Sequence, residues 1–307
     1  MKIKPVYTYV LVILSMLFWG LSFVWSKIVL KYYDPITTVL LRLVISSALI
    51  FPGLKLFNRL QPIKRTDIKL FLLSALFNPF LYFLGENYGL KYSTATITSV
   101  IIATIPVFTP VVAFFFLKER LSKLNIIGLF VSFFGILIML LSKDLSFNVS
   151  PAGIAWLSLA VLTAIFYAVL LKKLAVKYNP FLIIAMQNIV GAVYFLPLFF
   201  VFDLEKFLRV VPNAELLSSL LLLSVFASSL AFVFYTISAR EIGISKTNLF
   251  TNLIPVFTAV FSFLILKETF EFHKIVGMVI VIAGVLLSQL QTNINIVNIY
   301  RFIFNKK

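Results

Sequence analysis

A chain of 307 residues that is 61% hydrophobic and 12% charged cannot hide its apolar surface in one soluble core. Its net charge of +16 is spread through short loops instead of one stripe, so no nucleic-acid partner is expected. Without Cys and with a single His (His273), there is no disulfide framework, no thiolate metal site and little material for a His-based cluster.

Apolar runs near the length that crosses hydrocarbon as a helix recur from end to end, and backbone in lipid must pair within its own segment. In chain order the predicted spans are 8–30, 36–57, 68–89, 95–117, 124–141, 152–171, 180–202, 216–238, 247–266 and 273–290. The first lacks a small-residue cleavage pattern and reads as a retained helix. Breaks fall at Asp34-Pro35, the basic 58–67 loop, Lys118-Glu119-Arg120, Ser142–Ser150, Asn179-Pro180, Asp203–Glu215 and Lys267–Glu271. The tail, Thr292–Lys307, mixes aromatic, aliphatic and basic residues and reads as interfacial. An all-α polytopic protein of the cell membrane is expected, with the lipid bilayer as its surroundings.

The chain is duplicated. Ile105–Thr109 returns as Ile254–Thr258, a shift of 149 positions, and Leu117-Lys118-Glu119 returns as Leu266-Lys267-Glu268. Gly128 and Gly135 return as Gly277 and Gly284, while Lys27, Tyr33 and Pro35 reappear as Lys172, Tyr178 and Pro180. The expected units are 1–143 and 150–290, each of five helices, followed by a basic-aromatic tail over 291–307.

Lys and Arg fix the expected sidedness. With the N-terminus in the cytoplasm, inner segments hold eighteen of them and outer loops eight, so both termini are expected inside. An odd number of helices per copy makes the second copy enter inverted. The loop after helix 2 carries five basic residues, whereas its counterpart after helix 7 sets Lys206 and Arg209 against Asp203, Glu205 and Glu215. Inverted repeats with a site at their seam are a common transporter plan.

Phe18-Trp19-Gly20, Pro35 and Arg42, the Pro-Val helix ending in Leu-Lys-Glu in each half, and the two glycine pairs carry a resemblance over roughly residues 8–290. Together they resemble the EamA-like members of the drug/metabolite transporter superfamily. That resemblance implies a secondary transporter, often an exporter of amino acids or other metabolites, with a cavity lined by helices 1, 3, 4, 6, 8 and 9. Departures are Gln187 where the first copy has Arg42, and Tyr235 where it has Glu86.

Pro106 and Pro255 sit near the middle of helices 4 and 9 and deprive Ile102 and Thr251 of their usual donors. Open backbone at that depth is tolerated where it is buried or faces water. With Ser99, Asn248 and Asn252 nearby, the prolines suggest a substrate cavity; a packing kink is the blander reading. Trp19, Tyr82, Tyr167 and Tyr235 suit a wall for an amphipathic solute, and Asn78 adds an amide, though packing explains such residues about as well.

Arg42 and Glu86 are charges inside spans, both within about 10 Å of the outer interface. They form either a structural ion pair or a gate, or else Glu86 is the carboxylate that carries a coupling proton. Arg42 snorkelling to the surface is the plainest alternative. The repeated glycines read as helix packing, with a homodimer face as an extension.

The leading expectation is a secondary active permease for a small organic metabolite such as an amino acid, without cofactor beyond a coupling proton. No phosphate loop is present. The alternatives are a flippase for an amphipathic lipid-linked molecule and, with no paired acids or nucleophile–His arrangement, an integral membrane enzyme.

Overall fold

Proline opens four of the described helices, α1 (Pro5–Val29) among them, where its fixed φ suits a first helical residue and its missing N–H would be an orphan in any case. Pro35 starts α2 (Pro35–Leu56), Pro151 starts α6 (Pro151–Lys177) and Pro180 starts α7 (Pro180–Arg209). Side chains cap the neighbouring backbone. Ser150 accepts from the Gly153 N–H at 3.1 Å and Asn179 from that of Phe181 at 2.9 Å. Thr94 accepts from Ile97 ahead of α4 (Ala95–Phe108), and Asn213 from Leu216 ahead of α8 (Ala214–Ile242). Each cap contributes about 1 kcal/mol.

The remaining helices are α3 (Arg65–Lys91), α5 (Lys123–Leu140), α9 (Phe250–Leu266) and α10 (Phe272–Gln289). The computed structural model describes residues 5–56, 60–108, 123–140, 150–243, 247, 250–269 and 271–289. Among the described residues, seven helices are long and apolar enough to cross a membrane, and α4, α9 and α10 are shorter apolar helices. Lys118-Glu119 and the expected tail lie outside the described residues.

Two helices run past the apolar spans, α6 to Lys177 and α7 to Arg209, because hydrogen bonding continues after hydropathy falls. Helix α3 departs further from expectation. It is broken at Asn78, whose φ of −147° and ψ of 121° are extended, one residue before Pro79, which lacks a helical donor. In α8 the run Leu223–Ala231 is π-helical.

The glycines fix how the copies meet. A Cβ added at Gly128 would meet the Gly284 carbonyl at 2.5 Å, and one at Gly135 would meet the Gly277 carbonyl at 2.9 Å. Helices α5 and α10 therefore pack antiparallel, each glycine against the other pair's partner. Helices α2 and α7 repeat the pattern: Asn188 reaches Ser46, and a Cβ at Gly191 would meet Leu43 and Pro79. Homologous helices that lie antiparallel on one another make the second copy inverted relative to the first. The glycine faces of α5 and α10 are thus spent within the chain.

Both ends of the bundle are tied across the copies. At one end the Asp34 carboxylate accepts from Lys91 at 2.6 Å and Lys206 at 2.8 Å, and Asp203 accepts from the Thr37 N–H and hydroxyl. Glu268 caps α4 through the Ala95 N–H and the Thr96 hydroxyl. At the other end Asp67 holds Lys177 and the Tyr178 hydroxyl, each at 2.8 Å.

Partial burial raises the Asp34 carboxyl, but Lys206 and Lys91 outweigh it and hold the group below the usual carboxylate range. A carboxylate with a depressed folded pKa stabilises above its unfolded value and loses that contribution as pH falls through the folded one. Asp34→Asn is expected to cost about 1 kcal/mol near neutrality, as for part-exposed pairs. Unfolding scans of both proteins should converge once the pH drops below the carboxylate range; a constant difference at every pH would show the clip is not electrostatic.

Candidate substrate cavity

Where α1, α2, α3, α4, α6, α8 and α9 meet, the helices leave a cavity of about 110 Å³. Its wall is drawn from both copies at matching positions. Phe83 and Phe232, Glu86 and Tyr235, Ile102 and Thr251, and Ile105 and Ile254 stand 149 positions apart and all line it. Trp19 with Ala164, and Ser22 with Tyr167, do so 145 positions apart. The cavity therefore straddles the seam where the inverted copies meet.

Two of its polar groups form a buried pair. Arg42 on α2 is 1% exposed and Glu86 on α3 is 5% exposed, with Nη1 and Oε1 3.9 Å apart. The guanidinium also donates through Nε to the Ser228 hydroxyl at 2.7 Å and lies 4.1 Å above the Phe83 ring. That combination of hydrogen bond, carboxylate and aromatic face holds the arginine in place. Snorkelling is ruled out for Arg42, since the side chain is buried and points inward.

Ser228 belongs to a network that sequence reasoning missed. Ser46 bonds Ser229 at 2.7 Å, Asn188 donates to Ser46 at 2.7 Å and to the Ser228 carbonyl at 3.2 Å. These groups join α2, α7 and the π-helical stretch of α8 directly behind Arg42. On the opposite side Gln187, the repeat counterpart of Arg42, accepts from the Tyr167 hydroxyl at 3.2 Å and donates to Ser74. The counterpart position thus keeps a buried polar role with an amide in place of a charge. The Arg42–Gln187 correspondence was the available signal; the serines looked like ordinary small packing residues.

Of the residues singled out from sequence, Trp19, Asn78, Tyr82, Pro106, Tyr167 and Tyr235 lie on the wall with Arg42 and Glu86. Asn78 comes to the wall at the break in α3. Ser99, Asn252 and Pro255 are buried off the wall. The Ser99 hydroxyl folds back onto the Thr96 carbonyl at 2.8 Å. The Pro255 turn packs on α1: a Cβ at Gly20 would meet Phe257 at 2.6 Å, and Thr258 donates to the Gly20 carbonyl. Asn248 lies outside the described residues.

Two donors on the wall lack a hydrogen-bond partner. The Trp19 indole N–H and the Arg42 Nη1 are buried without a hydrogen-bond acceptor among the described residues. Around them the surface is largely aromatic, with Phe23, Phe83 and Phe232 beside the tyrosines. Such a wall suits a solute with an acceptor group at one end and an apolar body.

Comparison with known proteins gives the same architecture. The EamA-like transporter family matches residues 6–141 and, again, 151–290. An uncharacterized transporter of Archaeoglobus fulgidus is 28% identical over 92% of this chain and 96% of its own length. The uncharacterized transporter YetK of Bacillus subtilis is 25% identical over 93% of this chain and 87% of its own. A solved crystal structure superposes with a TM-score of 0.67 over 92% of this chain and 98% of that one; at 14% identity it speaks for the fold alone.

Proposed function

The chain belongs to the EamA-like transporter family, and from that premise we propose that it is a secondary active carrier of a small organic metabolite such as an amino acid. In this reading the two inverted copies rock around the shared cavity, both termini face the cytoplasm and transport runs outward. The observation that carries it is the placement of the cavity on the seam, with wall positions contributed in repeat-matched pairs. A site so placed is reached from either face when the halves exchange conformations. The unmatched donors at Trp19 and Arg42 favour a solute with a carboxylate or similar acceptor. Relatives named as transporters favour this over a membrane enzyme. The α5–α10 glycine faces are spent inside the chain, so a homodimer would use another surface.

Vesicles containing the purified protein and loaded with unlabelled amino acids or other carboxylate metabolites should take up labelled solute by saturable counterflow without ATP. Unsaturable flux, or chemical conversion of the solute, would refute a carrier. Within this reading Arg42 and Glu86 form a structural pair, because Arg42 is already fixed by Ser228 and Phe83. Glu86→Gln is then expected to retain the response of net transport to an imposed proton gradient. Loss of that response with counterflow intact would instead make Glu86 the proton carrier.

A further inference from the structure

The cavity wall includes Trp19 and Phe23 on α1 and Ile254 on α9, with Tyr82 and Glu86 on α3 and Ile102 on α4. At the end of the bundle where α1 stops, charge joins α1 and α9 to α3 and α4. Lys27, four residues past Phe23, donates to the Leu90 carbonyl at 2.8 Å and to that of Ser93. Glu268, two residues past α9, accepts from the Ala95 N–H at 2.9 Å and the Thr96 hydroxyl at 2.7 Å. The turn from α3 into α4 is thus gripped twice. An ammonium sits on carbonyls that end one helix and a carboxylate on donors that begin the next, the signs those ends favour. One helical turn, roughly 6 Å, separates Lys27 from Phe23 and Leu90 from Glu86, so the grips lie just beyond the wall.

Between wall and grips the helices carry polar atoms that no partner satisfies. Ser26 Oγ on α1, Asn87 Oδ1 on α3 and Thr98 Oγ1 on α4 are buried without a hydrogen-bond partner among the described residues. Along its helix each falls between a wall residue and a gripping one, and the three helices pack on one another. Folded chains seldom leave buried oxygens in that condition, and three on adjoining helices mark a surface that another state wets.

We propose that Lys27 and Glu268 latch the cavity shut at this end, and that Ser26, Asn87 and Thr98 line the solute's path when the latch lets go. In the orientation proposed above this is the outer end. The latch rests on the carrier reading, since only a site opened by turns needs a closed passage.

The chain has no cysteine, so a single engineered one reports exposure without background. Thr98→Cys and Asn87→Cys in the purified protein are expected to react slowly with a charged, water-soluble thiol reagent. Adding Lys27→Met, which keeps the stem and removes the ammonium, should speed both by roughly 10-fold, what one charge-assisted hydrogen bond supplies. Ala185→Cys, buried in α7, should stay slow throughout. Should Lys27→Met fail to fold, Glu268→Gln weakens the second grip and the same rise is expected. No rise at Thr98→Cys and Asn87→Cys, or an equal rise at Ala185→Cys, overturns the latch. The two readings fail separately. Faster labelling in a protein without saturable counterflow keeps the latch and removes the carrier, while intact counterflow with unchanged labelling removes the latch alone.

Discussion

Arg42→Met alone is expected to destabilise the protein by about 3–5 kcal/mol, and adding Glu86→Leu to recover most of that loss. The reason is desolvation. Both groups are buried, Arg42 at 1% and Glu86 at 5% exposure. Removing the guanidinium leaves a carboxylate buried near Phe83 without its counter-charge, and strands the Ser228 hydroxyl that accepted from Nε. Removing both charges leaves apolar side chains of similar bulk in an aromatic wall, which interiors tolerate. Unfolding of wild type, both single variants and the double variant in one detergent gives the coupling, expected near the top of the roughly 0.5–3 kcal/mol range for contacting residues. A double variant no more stable than Arg42→Met would mean that Arg42 acts chiefly through Ser228 and the network behind it. Solute binding should fall in the double variant all the same, because the wall has then lost its cation.

What the sequence disclosed divides along a physical line. Features imposed by the bilayer or by duplication were legible: helices long enough to span, breaks at Asp34-Pro35 and Asn179-Pro180, and the glycines recurring seven apart. Each is a local or periodic property. The break in α3 was not seen because Asn78-Pro79 sits within an otherwise apolar run, and a window average absorbs one amide and one proline. Counting residues along two antiparallel helices put Arg42 and Glu86 at similar depth, where they could meet, and left snorkelling open. Ser46, Asn188 and Ser228 behind Arg42 were not legible, since small hydroxyls in membrane helices commonly bond their own backbone. The two prolines show the same limit. Repeat symmetry made Pro106 and Pro255 equal, yet Pro106 lines the cavity while the turn at Pro255 lies against Gly20 of α1. Duplicated sequence specifies equivalent positions, and divergence of the neighbours decides what each position does.

Gly135→Leu is expected to abolish the folded protein in mild detergent, and Gly135→Ala to cost about 1–3 kcal/mol. In lipid no hydrophobic force drives one helix onto another, so association rests on van der Waals contact and close approach. At Gly135 that approach leaves no room even for a methyl group. A Cβ there would lie 2.8 Å from the Val281 nitrogen and 2.9 Å from the Gly277 carbonyl, both backbone atoms that cannot rotate aside. The helices must separate, and contact is then lost along the whole α5–α10 seam, including the bond from Asn125 to the Ser288 carbonyl. Phe134→Leu on the outer face, where the ring is 59% exposed, should change stability by no more than about 0.5 kcal/mol. Gly277→Ala in addition should cost less than its separate effect, because the first methyl has already parted the same surfaces. Neither α5 nor α10 reaches the cavity wall, so Gly135→Ala that still folds is expected to keep the wild-type half-saturation for counterflow. A large rise in that constant with little loss of stability would show that α5 and α10 move with the transport cycle.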